Sequence, residues 1–463
     1  MRQGIIAAIS TPPGKGGVAL IRISGEGAHG LAKEIFQPIG KLGVDEYPER
    51  HQIYGYILCN GEKCDDGMLT LFNGPRSYTG EDMAEITCHG GVLVTATILE
   101  ELFTKGALPA EPGEFTRRAF INGKLSLTEA EAIGTLLEAK TYEQIRLFSA
   151  PARKRLYEAT ESLRTRITDT LSSIYARIDY PEEDLGEFTA EETLVRLESV
   201  REDIARLIAT YKTGKAITEG VRTVIIGKPN TGKSTLYNAI LGEEAAIVTD
   251  IPGTTRDLLN ATAALGRVTL HLTDTAGIRN TGGVDTVERI GIERTRERLL
   301  DSELVIVMLD LSRPLDGEDR EIFDLVSPLP CPKICVLNKS DTGVISLCKS
   351  DIPELFDAKL TLSVREDKDG AVRALSELVG KLFTDERLTP AADAIVSSLR
   401  QHSALRAALG FIDTAIGAYK LGLPVDAASS DIELALGAIS ELDGRSVAEA
   451  VTDGIFAKFC VGK

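Results

Sequence analysis

The sequence predicts a multi-domain α/β and α protein. It reads as an N-terminal α+β domain, an α-helical domain in two segments, and a doubly wound α/β domain with a phosphate-binding loop inserted between those segments. Three observations predict this class. Short β-branched runs with turn signals occupy residues 1–120, long stretches of helical spacing lie on both sides of a central region, and that region alternates apolar strands with helices. A length of 463 residues allows about three domains, each able to bury its own core. The expected boundaries are 1–120, 121–218, 219–382 and 383–463.

Composition narrows the class. Hydrophobic residues make up 43% and charged residues 26%, as in soluble globular proteins. With 52 basic against 69 acidic residues the formal charge is −17, which argues against broad electrostatic binding of nucleic acid. Counterion release needs clustered Lys and Arg, so any RNA contact is expected to be local or assisted. No apolar run reaches the ~18 residues of a membrane span, and the N-terminus lacks the apolar region and cleavage site of a secretory signal. A cytoplasmic protein with no membrane partner is expected. Seven Cys, an odd number without a paired C-x-x-C, argue against a disulfide framework or a zinc site. Cys331 and Cys335 edge an apolar run and read as buried.

In the first domain, strands are expected at Ile5–Ile9, Val18–Ile23, Gln52–Leu58, Met68–Phe72 and Ala84–Cys88, with Asn60-Gly61 as a turn. Helices are expected at Ala28–Phe36 and Leu93–Lys105. Pro12-Pro13-Gly14-Lys15-Gly16-Gly17 resembles a phosphate cradle but leads into a strand, so no helix dipole would support an anion there. Residues 75–82 and 114–120 are dense in carboxylate and guanidinium groups. They suit either plain solvated loops or a site for a small heterocycle, and composition does not decide between the two.

From Leu127 to Lys215 the pattern is nearly continuous amphipathic helix, with breaks expected at Pro151 and Pro181. A second helical block covers Pro390–Lys463, where Ser430-Asp431-Ile432-Glu433 reads as a capping box. Helical blocks on both sides of an α/β unit suggest insertion of that unit into a helical host.

The inserted unit has strands expected at Val224–Ile226, Val268–Leu272, Leu304–Leu309, Ile334–Leu337 and Leu360–Leu362. Its first strand runs into Gly227-Lys228-Pro229-Asn230-Thr231-Gly232-Lys233-Ser234, which fits G-x-x-x-x-G-K-[ST]. The glycines let successive N–H groups face a β-phosphate, and the following helix adds its N-terminal partial charge. Lys233 would reach the β- and γ-phosphates and Ser234 would ligate Mg²⁺, with Asn230, Thr231, Gly232 and Thr235 completing the cradle. The polar loop Thr249-Asp250-Ile251-Pro252-Gly253-Thr254-Thr255-Arg256-Asp257 is able to deliver the Thr255 hydroxyl to Mg²⁺. Asp274-Thr275-Ala276-Gly277 ends a strand, as a Mg²⁺-side Asp and a γ-phosphate-contacting Gly N–H require. Asn338-Lys339-Ser340-Asp341 ends another; Asp341 can accept from N1–H and the 2-amino group of guanine, donors that adenine lacks, while the Lys339 stem covers the base. Ser363-Val364-Arg365 is a weaker base-side loop. These motifs in this order predict a P-loop GTPase domain. Where Ras-type enzymes orient water with Gln, this chain has Ile278, so another group must stabilise the transition state, a role worth about 10³–10⁵ in rate for an arginine finger. Arg256 and Glu288 are nearby polar candidates, and each reads equally as a surface charge on a mobile loop or helix.

Residues 253–257, Val287-Glu288-Arg289-Ile290-Gly291-Ile292-Glu293-Arg294 and the terminal Cys460-Val461-Gly462-Lys463 carry a more specific likeness. Over its whole length the chain resembles the MnmE/TrmE family of tRNA-modifying GTPases. The resemblance implies a folate-binding-like N-terminal domain, with 5,10-methylene- or 5-formyl-tetrahydrofolate at Arg22, Glu81, Lys124 and Lys463. It implies K⁺ at Asn230, Thr249, Ile251 and Thr254, Mg²⁺ at Ser234 and Thr255, and Glu288 as the residue that orients water. Ser363-Val364-Arg365 departs from the family's usual Ser-Ala-[Lys/Arg], which bears only on the base-side contacts. Cys460 either takes part in one-carbon chemistry or packs on the helical domain.

The implied function is GTP-driven modification of tRNA. A homodimer, joined by an FAD-containing partner of the GidA/MnmG type in a heterotetramer or larger assembly, would add an aminomethyl or carboxymethylaminomethyl group to C5 of the wobble uridine. The alternative is a regulatory GTPase switch in ribosome assembly or stress response, which would need no folate residues. A stand-alone folate-dependent aminomethyltransferase would leave the GTPase motifs unexplained.

Overall fold

The computed structural model describes residues 4–179, 189–245, 260–274, 297–423, 425–445, 449–457 and 459–462. The chain forms two compact units, one of Met1–Leu137, Thr160–Leu171 and Ser429–Lys463, the other of Glu138–Ala159 and Ser172–Ala428.

The first unit is built on a seven-stranded sheet of β1 (Ile6–Ile9), β2 (Val18–Ser24), β3 (Phe36–Pro38), β4 (Ile53–Cys59), β5 (Glu62–Phe72), β6 (Met83–His89) and β7 (Leu108–Pro109), in the order β3-β4-β5-β6-β2-β1-β7. Only β1 and β7 pair in parallel. Strand alternation sends Ile21, Ile23, Ile57, Leu69 and Ile86 to one face, where the helices Ala28–Glu34 and Val92–Thr104 cover them with Leu31, Ile98 and Leu102. Ile6, Ala8 and Met83 belong to a separate cluster with Phe115 of the helix Glu114–Ile121. The expected Asn60-Gly61 turn is present, both residues being left-handed at φ 53° and 80°. Cysteine usage needs one correction: Cys59 and Cys64 form a single bridge across that turn. The hairpin brings them together, which a C-x₄-C spacing does not announce.

The second unit holds a six-stranded sheet of β8 (Val221–Gly227), β9 (Asn260–Leu265), β10 (Val268–Asp274), β11 (Leu304–Asp310), β12 (Lys333–Asn338) and β13 (Ala358–Thr361), in the order β13-β12-β11-β8-β10-β9. All neighbours are parallel except the β9–β10 hairpin. Its central strands are apolar on both faces. Val224, Val305 and Val307 lie in one cluster with Phe323 of the helix Gly317–Val326, and Ile225, Ile306 and Met308 lie in another with Leu236 and Leu375 of the helices Lys233–Ala245 and Lys368–Phe383. Beside this sheet, the helices Ala190–Thr218 and Leu399–Lys420 pair through Tyr211 stacked on His402 at 4.2 Å and Lys420 Nζ 2.8 Å from Glu198. Thr189 and Ser398 cap their N-termini.

Two helix signals resolve differently from expectation. Pro151 does not break the helix Ala150–Asp179 but lies in its first turn, where a missing N–H costs no hydrogen bond. Ser430 lies inside the helix Val425–Asp443 and does not cap it. Pro181 lies outside the described residues.

Candidate functional site

The phosphate loop takes its shape from where it must pass. A Cβ on Gly227 would lie 2.4 Å from Met308 O, and Gly232, at φ 101°, would place one 2.2 Å from Asn338 Nδ2. Only glycine fits either place. Between them Asn230 is left-handed at φ 63° and exposed. Thr231 is buried and donates through Oγ1 to Lys228 O at 2.9 Å. Lys233 opens the helix Lys233–Ala245 and donates through Nζ to the same carbonyl at 2.8 Å. Ser234 and Thr235, in the first turn, are exposed. Helix-terminal N–H groups, an ammonium group and hydroxyls thus converge where a nucleotide's phosphates would lie.

The base side is joined to this loop through Asn338. Its Nδ2 donates to Thr231 O at 2.8 Å, and its Oδ1 accepts from Val364 N at 3.1 Å, so one buried amide fixes three of the expected segments together. Ser363 Oγ donates to Asp341 Oδ1 at 2.6 Å, and this bond chiefly holds the Asp341 carboxyl below its ordinary range. An ionised acceptor results, as guanine's paired donors require. Lys339, left-handed at φ 71°, gives its Nζ to Asp310 Oδ2 at 2.7 Å. Arg365 is exposed. Asp274 ends β10 with its backbone opposite Ile225 of β8, beside the strand that feeds the phosphate loop.

The expected segments Thr249, Asp250, Ile251, Pro252, Gly253, Thr254, Thr255, Arg256 and Asp257, with Thr275, Ala276, Gly277, Ile278 and Glu288, lie outside the described residues, as does Lys463. Of the cation sets, Ser234 and Asn230 are described; a hydroxyl and an amide oxygen suit hard cations such as Mg²⁺ and K⁺.

In the first unit, Arg22 of β2 faces Ala8 and Glu85 across the sheet and donates to Glu85 Oε1 at 2.8 Å, with its guanidinium 5.5 Å from the Tyr78 ring centroid. Glu81 accepts through Oε2 from Ser24 Oγ at 2.9 Å and from Arg118 Nη1 at 3.0 Å. Arg118, only 5% exposed, also bonds Glu114 and Gly4 O, and sequence reading did not single it out. Its signal was the i, i+4 spacing from Glu114. Lys124 donates to Pro75 O at 2.9 Å and lines, with Tyr78, Phe72, Arg50 and Arg76, an open cavity of about 440 Å³. The C-terminal tail is bound to the same unit. Val461 bridges Pro112, Ser10 Oγ donates to Gly462 O at 2.8 Å, and Gly462, at φ 93°, packs so closely that a Cβ would lie 2.4 Å from Ile9 O. Cys460 is exposed beside it. The carboxylate of Glu81, held by two donors on one oxygen, fits the amino and ring N–H donors of a pterin, and nearby cations fit carboxylates.

The chain is similar to known proteins over nearly its whole length. Residues 5–124 match the family described as GTP-binding protein TrmE N-terminus, and residues 127–460 match the MnmE helical domain. The curated tRNA modification GTPase MnmE of Thermotoga sp. (strain RQ2) is 38% identical over 459 residues, covering 99% of both chains. That of Clostridioides difficile (strain 630) is 36% identical over 458 residues, with 99% of both chains covered. That of Enterococcus faecalis (strain ATCC 700802 / V583) is 39% identical over 468 residues, covering 100% of this chain and 99% of its own.

Proposed function

Because this chain belongs to the MnmE family of tRNA modification GTPases, we propose that it couples GTP hydrolysis to addition of a folate-borne carbon at C5 of a tRNA wobble uridine. It would do so as a homodimer with an FAD-containing partner of the GidA/MnmG type, in the cytoplasm. The observation that carries the proposal is the C-terminal tail bound at Ile9, Ser10 and Pro112 in the same unit as Arg22, Glu81 and Lys124. A GTPase acting only as a switch has no use for such a constellation.

Residue roles follow from the chemistry of each group. Glu81 would accept from the pterin's donors, with Arg118 and Ser24 holding its orientation. Lys124 and Lys463 would receive the carboxylates of the glutamate tail, and Arg22 would bind the same ligand from β2. The exposed Cys460 thiol would act beside the one-carbon unit. When bound, the folate supplies the carbon, and Mg²⁺ and K⁺ offset negative charge on the phosphates. In the second unit Lys233 and Ser234 would hold the phosphates and Mg²⁺, Asn230 would ligate K⁺, and Asp341 would select guanine. Hydrolysis itself forms no carbon–carbon bond. Nucleotide state would act through residues 249–257 and 277–288, favour pairing of G domains, and gate the folate and flavin chemistry.

The test is calorimetry with 5-formyltetrahydrofolate and GTPase assays in matched K⁺ and Na⁺ buffers, on the intact chain and on a chain lacking residues 460–463. Truncation should abolish folate binding and leave hydrolysis within about twofold, faster in K⁺ than in Na⁺. Unaltered folate binding would remove the tail from the site. Equal rates in the two salts would make Arg256 the first candidate for stabilising the transition state.

A further inference from the structure

The segment 310–319 carries none of the guanine-nucleotide motifs, yet it is tied to two of them. At its start Asp310 ends β11 and receives Lys339 Nζ at 2.7 Å, while Ser312 holds the other oxygen of Asp310 through its N–H at 3.0 Å and its hydroxyl at 2.6 Å. Leu311 N adds a bond to Asn338 O at 2.9 Å. At its other end Asp316 caps the helix Gly317–Val326, accepting from Glu318 N and Asp319 N. There Lys228 of the phosphate loop gives its ammonium group to Asp316 and to Asp319, the latter at 3.2 Å.

The second connection is internal. The side chains of Lys228 and Asp319 are 5% and 4% exposed. Burial opposes the charge on Lys228, and its bonds to Asp316 and Asp319 more than offset this, leaving the ammonium favoured. A buried charge stranded by loss of its partners is strongly destabilising, so the loop backbone at 228 must follow these carboxylates. That backbone matters to the site, because Lys228 O accepts both Thr231 Oγ1 and Lys233 Nζ. The same carbonyl orients the residue whose ammonium reaches the phosphates.

We propose that residues 310–319 form a two-ended clamp that sets the phosphate loop against the guanine-reading loop, with Asp310, Asp316, Asp319 and Lys228 as positioning residues. Releasing either end leaves the loops joined through Asn338 but less fixed relative to one another, and a nucleotide then orders both loops on binding and holds less tightly.

Two variants test this on the full-length chain without stranding a buried charge. Lys228→Met together with Asp319→Asn, taken as one variant, removes both charges of the buried pair and releases that end, while the half-exposed Asp316 keeps its cap. Asp310→Asn keeps the size of the side chain and frees a partly exposed Lys339. Affinity for a fluorescent GDP analogue is measured for each variant and for the double variant, alongside the melting temperature of the nucleotide-free chain. Each end's variant should weaken GDP about 3- to 10-fold, and the double variant, altered at both ends, should lose little more than the weaker-binding of the two, because one released end already opens the clamp. Two results would overturn the clamp. One is one-end variants within twofold of the parent, including the case of lowered melting with unchanged affinity. The other is a double variant whose loss equals the product of the one-end losses, as independent sites give.

Discussion

Asp341 carries the base specificity we propose for the nucleotide site. Its carboxylate lies at a strand end, is held below the ordinary range chiefly by Ser363, and is exposed to an incoming base. Asp341→Asn exchanges an acceptor pair for one acceptor and one donor, which suits the C2 carbonyl of xanthine in place of guanine's amino group. Losing a charged partner to guanine costs about 1.5–3 kcal/mol, so fluorescence titration should find GTP weakened about tenfold or more and XTP strengthened. Unchanged GTP binding with no gain for XTP would move base reading elsewhere. Gly232 and Asn338 operate at the same scale, because the close approach of that amide to a glycine is what lets one side chain bond both loops.

At the scale of elements, the helix Val425–Asp443 ends on a buried acid. Asp443 is 3% exposed, receives Thr160 Oγ1 on Oδ1 at 3.5 Å, and has no hydrogen-bond partner for Oδ2 among the described residues. Burial, reinforced by Glu161, pushes its carboxyl up to about 6 against the pull of Arg445 and Arg164. A folded-state value above the unfolded one means that the folded chain binds more protons between about pH 4 and 6. Stability contributed by this group therefore falls as pH rises through that window and stays low above it. Asp443→Asn should raise stability at pH 7.5 by on the order of 2 kcal/mol and change it little at pH 4. Denaturant melts at the two pH values check this, and an equal gain at both would assign the effect to packing.

Elements also mark how far the sequence could be read. Apolar runs such as Val224–Ile226 and Ile334–Leu337 fall inside β8 and β12, because parallel strands buried on both faces are written as continuous apolar residues. β9, β3 and β7 were not legible. β9 is a short edge strand of small residues, and the other two, Phe36–Pro38 and Leu108–Pro109, are defined by their neighbours' hydrogen bonds and have no pattern of their own. Motif residues Lys233, Asn338 and Asp341 were legible because phosphate and guanine chemistry dictate them. The roles of Lys228, Asp310 and Asp316 were not, since an ion pair between distant segments leaves no periodic trace, and for Arg118 only the i, i+4 spacing from Glu114 shows while its bond to Glu81 does not.

For the whole molecule, the central claim is that one chain joins a GTPase to one-carbon chemistry on tRNA. GTPase motifs in one compact unit and the proposed folate residues in the other are each sufficient for a simpler protein. The proposed modification uses both. The most direct measurement is mass spectrometry of tRNA nucleosides from cells lacking this chain, complemented by the intact sequence, by Lys233→Ala, or by truncation before Cys460. The account predicts that C5-substituted wobble uridine disappears on deletion, returns with the intact chain, and returns with neither variant. Nucleosides unchanged by deletion, or restored by either variant, would contradict it.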